Sequence, residues 1–458
     1  LDAADFDAAY QTAAPDATNR YSFRPSDVGD AYLSWPRIPD LARAHYNGPV
    51  ERRNFALISI AREPLVHRMQ SYFDEAVSDD AIKAIYPSLM MTGNRIVGPE
   101  ARRKVRSDFA FNENRIVPYP FKPFDVRWCY LENLRPLFSE PSPELLEQRH
   151  IQDNAFFITR DTADKSTEGA PFYFSRAVCD YDSISGHARH FPLRLIQKAK
   201  PLKKDGMASF FDDDAPTITA NLSPAARAYL KELGLPDPDA DAATAALLWL
   251  HALAVGYSPA YLRDNADGIR QDWPRVPLPA SAAALRASAA LGEQVAALLD
   301  TERPVPGVTT GRIRPELRGL GEIRRAGGGQ LDPAQGHLDL TAGWGHAGKG
   351  GVTMPGRGKM GSSDVAVTGV TATSLDIYLN DDAYWADVPA AVWQYTIGGY
   401  QVLKKWLSYR EKGLLGRGLT LDEVTYVTHM ARRLAALVAL GAELDDNYRA
   451  AAGQWVSK

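Results

Sequence analysis

The stretch LTAGWGHAGKGGVTMPGRGKMG, Leu340 to Gly361, holds residues whose types and spacing could bind phosphate. Gly343, Gly345 and Gly348 stand at dinucleotide-binding spacing, and Gly343, Gly348 and Lys349 match a P-loop as far as its lysine. Both motifs use the N–H groups and dipole of a helix that opens at the last glycine, after a strand. A strand suits the residues before Gly343, but no helix can follow Lys349. Gly350 stands where a P-loop has its magnesium-binding Ser or Thr, and Gly351, Pro355, Gly356, Gly358 and Gly361 come after it. These residues argue against a nucleotide site. They describe a long loop carrying His346, Lys349, Arg357 and Lys359 with no acid before Asp364, and long ordered loops usually carry function.

Other chemistry is sparse. There is no G-x-S-x-G elbow and no H-E-x-x-H. His187 and His190 lie near Cys179, but SGHARHFP reads as a turn entering a strand, so polar loop histidines are the expectation and no metal site or catalytic residue is assigned. Asp180 with Asp182, and the run Asp212, Asp213 and Asp214, are acids that sequence alone does not place across a cleft. Trp393, Tyr395, Tyr400, Trp406 and Tyr409 fall mostly at helical spacing and read as core.

The 458 residues are 45% hydrophobic and 24% charged, an ordinary globular composition with room for two or three domains. The longest apolar run, around Ala242 to Val255, is too short to span a bilayer, and a cytoplasmic protein is expected. Cys129 and Cys179 alone argue against a disulfide framework. The chain begins at Leu1 rather than Met, which fits a fragment of something longer or a trimmed or disordered start. A net charge of -4 argues against coating nucleic acid by bulk charge. Gly311 to Met360, however, carries eight basic residues against four acids and is the expected anion-facing surface.

The elements that must position these residues alternate along the chain, giving an α+β expectation of sheet-containing and helical lobes. EPLVHRMQSYFD sets Leu65, Met69 and Tyr72 at helical spacing. RIVPYPFKPFDVRWCYLE, rich in aromatics and prolines, suits edge strands, and NAFFITR, PFYFSRAVCDY and HFPLRLIQ continue the strands. Ser223 caps a helix with Pro224 first and Gly234 as its stop, and alanine- and leucine-rich helices run to about Asp300. HLDLTA, DVAVTGV and SLDIYLN alternate as hairpin strands around the Gly-rich loop. PAAVWQYTIGGYQVLKKWLSYREKG reads as one helix. TLDEVTYVTHMARRLAALVALG reads as another, with a Thr420/Glu423 capping box and terminal Gly441. The expected units are 1–110, 111–221, 222–303, 304–386 and 387–458.

VPYPFKPFDVRWCY resembles the PFD-x-R strand that follows the catalytic domain in adenine-N6 DNA methyltransferases of restriction-modification systems. LAVGYSPAYLRDNADGIRQDWPRVPLP is similar to their HSPxYR…PRIP segment, and HFPLRL to an FPLYL-like strand. VWQYTIGGYQVLKKWLSYREK, the most specific, resembles the C-terminal signature of Type I single-polypeptide (ISP) restriction-modification enzymes. NGPVERRNFALISI through MQSYFD is similar to the tail linking the methyltransferase to its recognition domain. The four main segments run from Tyr119 to Lys412.

The resemblance implies a target-recognition portion that scans duplex DNA, while an attached methyltransferase flips an adenine and methylates it from S-adenosylmethionine. The chain departs from the complete enzyme in lacking the NPPY-type tetrapeptide, the Phe-x-Gly-x-Gly loop and Walker motifs, so no catalytic residue and no cofactor is carried over. The implied partners are double-stranded DNA and a methyltransferase in cis or trans, with no membrane. DNA contacts are expected from Lys349, Arg357 and Lys359 of the loop, from Arg312, Arg314, Arg318, Arg324 and Arg325, and from Arg102, Arg103 and Lys104. The loop glycines would let the backbone approach a DNA phosphate. Asp125 and Arg127 are expected to pair structurally, and Lys404, Lys405 and Arg410 to form the wet face of a packed helix. Two other readings stay open: a protein-interaction subunit docking on a methyltransferase, and a carboxylate-dependent hydrolase.

Overall fold

The structure, a computed structural model, describes residues 27–132, 134–163, 168–197, 217–363 and 373–454, with residues 13, 15, 21 and 23. It is α+β, with several small antiparallel sheets and helical layers around one continuous apolar core running from Tyr32 to Tyr448.

The aromatic, proline-rich segment forms the strands Ile116–Lys122 and Asp125–Tyr130, which with Ile58–Ser59 make a three-stranded antiparallel sheet. Pro118 and Pro120 sit on its edge strand, where the missing N–H is least costly. The Arg62–Phe73 helix covers this sheet and buries Leu65, Met69 and Tyr72 at the expected spacing. A second, four-stranded sheet runs in the order Tyr46–Asn47, Arg189–Pro192, Phe156–Thr159, Tyr173–Ser175. Its Phe157 and Phe191 pack on Trp249 of the Ala242–Gly256 helix. That helix lies against Ala282–Leu299.

Residues 27–47 of the expected 1–110 unit pack against elements that lie beyond it. Tyr46 and Asn47 pair with the Arg189–Pro192 strand, and the Ile38 N–H donates to Pro274 O at 3.0 Å. Asn221 Oδ1 accepts from the N–H groups of Arg43 and Ala44. The C-terminal helices likewise close onto the helical layer, Leu421–Ala439 against Ala282–Leu299 and Gly441–Gln454 against Pro259–Asp264.

Ser223 caps Pro224–Glu232 as expected, its hydroxyl accepting from the Ala226 N–H, and the Thr420/Glu423 capping box is present. Three expectations fail. HLDLTA is irregular, its Leu338 and Leu340 buried as loop residues. Gly441 opens the last helix instead of ending the one before it. The segment read as one helix is two short helices, Ala390–Trp393 and Val402–Ser408, separated by a hairpin of Thr396–Ile397 with Tyr400–Gln401. Its cause is the Gly398-Gly399 pair. Both residues have φ above zero (52° and 79°), the geometry of a two-residue hairpin turn, and this overrides the helical spacing around them. Asp212, Asp213, Asp214 and DVAVTGV lie outside the described residues.

Candidate nucleic-acid interface

The Gly-rich stretch is a hairpin. Gly345–Ala347 pairs with Thr353–Pro355 across a 3-10 turn, Lys349–Gly351. Its glycines divide by role. A Cβ at Gly345 would lie 1.9 Å from Ser408 O, and one at Gly358 (φ 69°) would lie 2.0 Å from the Trp344 ring. These base glycines let the hairpin seat on the Val402–Ser408 helix and on buried Trp344. The expected close approach is therefore to the protein's own backbone and core at the base. Gly351 at the tip (φ 78°) and Gly343 before the hairpin (φ 81°) face open space instead.

The base is clamped by Glu411. Its carboxylate accepts the Trp344 N–H, and the Trp344 Nε1–H donates to Tyr378 O at 2.8 Å. Burial raises the Glu411 pKa against the opposing pull of the N–H groups of Trp344, Gly345 and Gly343. The two residues before it anchor the clamp to the PFDVR strand. Arg410 donates to Asp125 Oδ1 at 2.8 Å, while Arg127 donates to Asp125 Oδ2 at 2.7 Å. The Arg127 guanidinium lies over Phe121 (3.9 Å) and Tyr409 (4.4 Å), and Arg410 over Trp406 (3.8 Å). Burial alone would raise the Asp125 carboxyl, yet the two guanidiniums hold it at about 2. The Asp125–Arg127 pair is as expected. Arg410 is a correction: it is fully enclosed and shares Asp125, because the helix ends at Ser408 and turns it inward.

Between hairpin and first sheet opens a cleft of about 380 Å³. Gly351, Val352 and Thr353 line one wall, Arg52, Asn54 and Phe55 another, with Phe121, Tyr409, Asp180 and Asp182 around them. The two acids do not form a free pair. Asp180 accepts from Tyr119 Oη (3.0 Å) and from the Asp182 N–H (2.9 Å), and burial raises its pKa to about 6 despite Lys122 nearby. Asp182 faces His187 Nδ1 at 3.2 Å. His190 is elsewhere, its Nε2 accepting from the buried Cys179 N–H, and burial lowers it to about 3. Among the described residues, no group of three His, Cys, Asp or Glu is arranged to hold a metal ion.

The expected DNA-contact residues differ in exposure and in pairing. Lys349 and Arg357 are exposed on the hairpin and, among the described residues, form no ion pair. Lys359 is exposed but bound to Asp381 at 2.6 Å and rests on Tyr378. Arg312, Arg314, Arg318 and Arg324 are exposed and Arg325 half-buried, and none of the five lines the cleft. Arg324 pairs with Asp387 at 2.9 Å, and Arg318 Nε donates to Ile313 O at 3.0 Å. Arg103 and Lys104 are exposed on the Gly98–Asp108 helix. Arg102, one position before, is 1% exposed and is corrected to a structural residue. Its guanidinium donates to Asp79 Oδ1 and to the carbonyls of Tyr72, Asp74 and Val77, all within 2.8 Å. The cleft wall formed by Arg52, Asn54 and Phe55 was not anticipated from the sequence. In the structure Glu51, Arg53 and Ala56 are buried while Arg52, Asn54 and Phe55 are exposed.

Fold and site together define a multi-lobed α+β binding module with a cleft walled by a basic hairpin. The chain belongs to the Type ISP C-terminal specificity domain family, whose model matches residues 40–435. Solved structures agree in fold. A nuclease-deletion mutant of the Type ISP restriction-modification enzyme LlaGI, in complex with a DNA substrate mimic, matches at TM-score 0.54 and 14% identity over 95% of this chain and 36% of that one. The DrdV–DNA complex matches at TM-score 0.57 and 15% identity over 95% and 40%. The ATP-dependent Type ISP enzyme LlaBIII bound to DNA matches at 0.53 and 11% over 92% and 24%. The chain thus spans between about a quarter and two-fifths of those proteins' length. No curated protein matches it.

Proposed function

We propose that this chain recognises an asymmetric duplex DNA target as the specificity part of a restriction-modification adenine-N6 methyltransferase. The observation that carries the reading is a basic hairpin, with Lys349 at its tip and Arg357 just after it both exposed and, among the described residues, without ion pairs, rising beside a polar and aromatic cleft in a chain of the specificity family. Phosphate contacts set the affinity and position of such a protein, and side chains on base edges set its choice of sequence. The similar LlaGI, DrdV and LlaBIII structures contain DNA, which supports duplex DNA as the partner. A methyltransferase, joined in cis or docked in trans, would bind S-adenosylmethionine and supply the chemistry, in the cytoplasm. No helix among the described residues is long and apolar enough to cross a membrane.

The test is selection from a randomised duplex library at low and moderate salt, with the retained DNA sequenced. Enrichment of one asymmetric motif is expected. Binding without enrichment would assign specificity to the combined action of this chain and its methyltransferase. No binding at low salt would overturn the reading and favour an interaction subunit or a hydrolase.

A further inference from the structure

The loop Glu51–Leu57 is built with unusual care for a surface turn. Arg52, Asn54 and Phe55 all have φ in the left-handed region (48°, 52° and 60°), a conformation that non-glycine residues hold only when their surroundings impose it. Here the surroundings are explicit. One oxygen of buried Glu51 accepts the N–H groups of Arg53 (3.0 Å) and Phe55 (3.1 Å), and the other accepts that of Leu57 (2.9 Å). Arg68 donates to the carbonyls of Phe55 and Ala56, and the buried Arg53 guanidinium reaches Leu89 O and Leu137 O. A neighbouring hairpin tip, also at positive φ, adds a bond from Asn94 Nδ2 to Arg52 O at 2.9 Å.

The bracing turns three side chains outward at the cleft mouth. Phe55 is 39% exposed although it is a large apolar residue, and Val352 of the hairpin, 60% exposed, lines the opposite wall. The Asn54 carboxamide makes no hydrogen bond among the described residues. Among the described residues the Arg52 guanidinium is tied to Glu140 alone, an exposed pair at 3.2 Å that a phosphate can replace. A rigid backbone presenting an amide between a cation and an aromatic ring, opposite a tip bearing Lys349, fits duplex DNA better than a protein surface. Asn offers its donor and acceptor together to an adenine edge, apolar rings pack against bases, and cations on both sides match the two phosphate strands.

We propose that the Glu51-braced loop is a base-reading element: Asn54 contacts a base edge, Phe55 packs beside it, and Arg52 and Lys349 take flanking phosphates. The proposal rests on the target-recognition reading and assigns it a second element, distinct from the hairpin. Its test compares the full chain with Asn54→Gly, which removes the amide while keeping the left-handed backbone, and with Asn54→Asp, which keeps the side-chain shape but replaces the amide with a charge.

In library selection the wild type should enrich one motif. Asn54→Gly should enrich the same motif with one position degenerate, discrimination there falling roughly tenfold or more, and with the salt slope unchanged. Asn54→Asp should change the base preferred at that position. If both variants select the wild-type motif with wild-type affinity, the loop does not read DNA, and target recognition stands without it. If the wild type enriches no motif while binding duplex, or binds none, this proposal falls together with the reading beneath it.

Discussion

Replacing Asp125 with Asn tests whether the junction of the PFDVR strand and the hairpin base is held electrostatically. The amide keeps the shape of the side chain but removes the one negative charge between Arg127 and Arg410, all three groups being buried. The carboxyl is held at about 2 against an ordinary 3.8, a difference worth about 2 kcal/mol in favour of the ionised form. Breaking a buried ion network by removing one partner costs about 3–5 kcal/mol, since the remaining charges stay desolvated. A loss of about 2–5 kcal/mol is therefore expected in urea unfolding at pH 7, followed by tryptophan fluorescence, to which Trp406 beside Arg410 contributes. Because the folded-state pKa is depressed, the wild-type advantage is fully present above about pH 4 and disappears as the pH falls towards 2. A variant within about 0.5 kcal/mol of wild type at pH 7, or a gap that widens on acidification, would refute the electrostatic account.

Four further outcomes follow from the same structure. Substituting Lys349 and Arg357 together with Ala should lower duplex affinity and reduce the slope of log affinity against log salt by about two, read by fluorescence anisotropy at several salt concentrations; Lys359, bound to Asp381, should add little. Arg102→Ala should destabilise the first lobe by about 3 kcal/mol or more by thermal unfolding, whereas Arg103→Ala should stay within about 0.5 kcal/mol. Gly358→Ala, which must clear the Trp344 ring as well as adopt positive φ, should cost more in Tm than Gly351→Ala, which meets only the φ penalty. Asp180→Asn should become more stable relative to wild type as the pH rises through about 6. The raised carboxyl makes a contribution that is full below about pH 3.8 and is lost on ionisation, about 3 kcal/mol in all, and the pH series of unfolding midpoints reads it directly.

Much of the fold was written in local pattern. Ser223-Pro224 and Thr420 with Glu423 carry their own capping chemistry, so those helix starts follow from a few adjacent residues. The prolines of VPYPFKP confine that segment to an edge strand, and Leu65, Met69 and Tyr72 face one way in any helix. The family was legible for a related reason, since its signatures lie in contiguous segments. The sequence also showed that no α-helix opens within the Gly-rich stretch, through what a helix cannot contain.

The fate of individual charges was not local. Arg102 and Arg103 are neighbours of one type, and a helix turns one into a cage of carbonyls and the other into water. Arg410 looked like a surface cation until Asp125, 285 residues away in sequence, met it inside the core. The glycines at 345 and 358 serve packing against Ser408 and Trp344, while Gly351 serves the tip, a distinction made only by what lies next to each. The braced loop at Arg52–Phe55 depends on Glu51, Arg68 and Asn94 converging from three directions. Sequence determined which segments form helices and strands, because those choices are settled by neighbours along the chain. Tertiary structure decided which cations and amides remain for a partner, because that depends on which acceptors the fold brings to each of them.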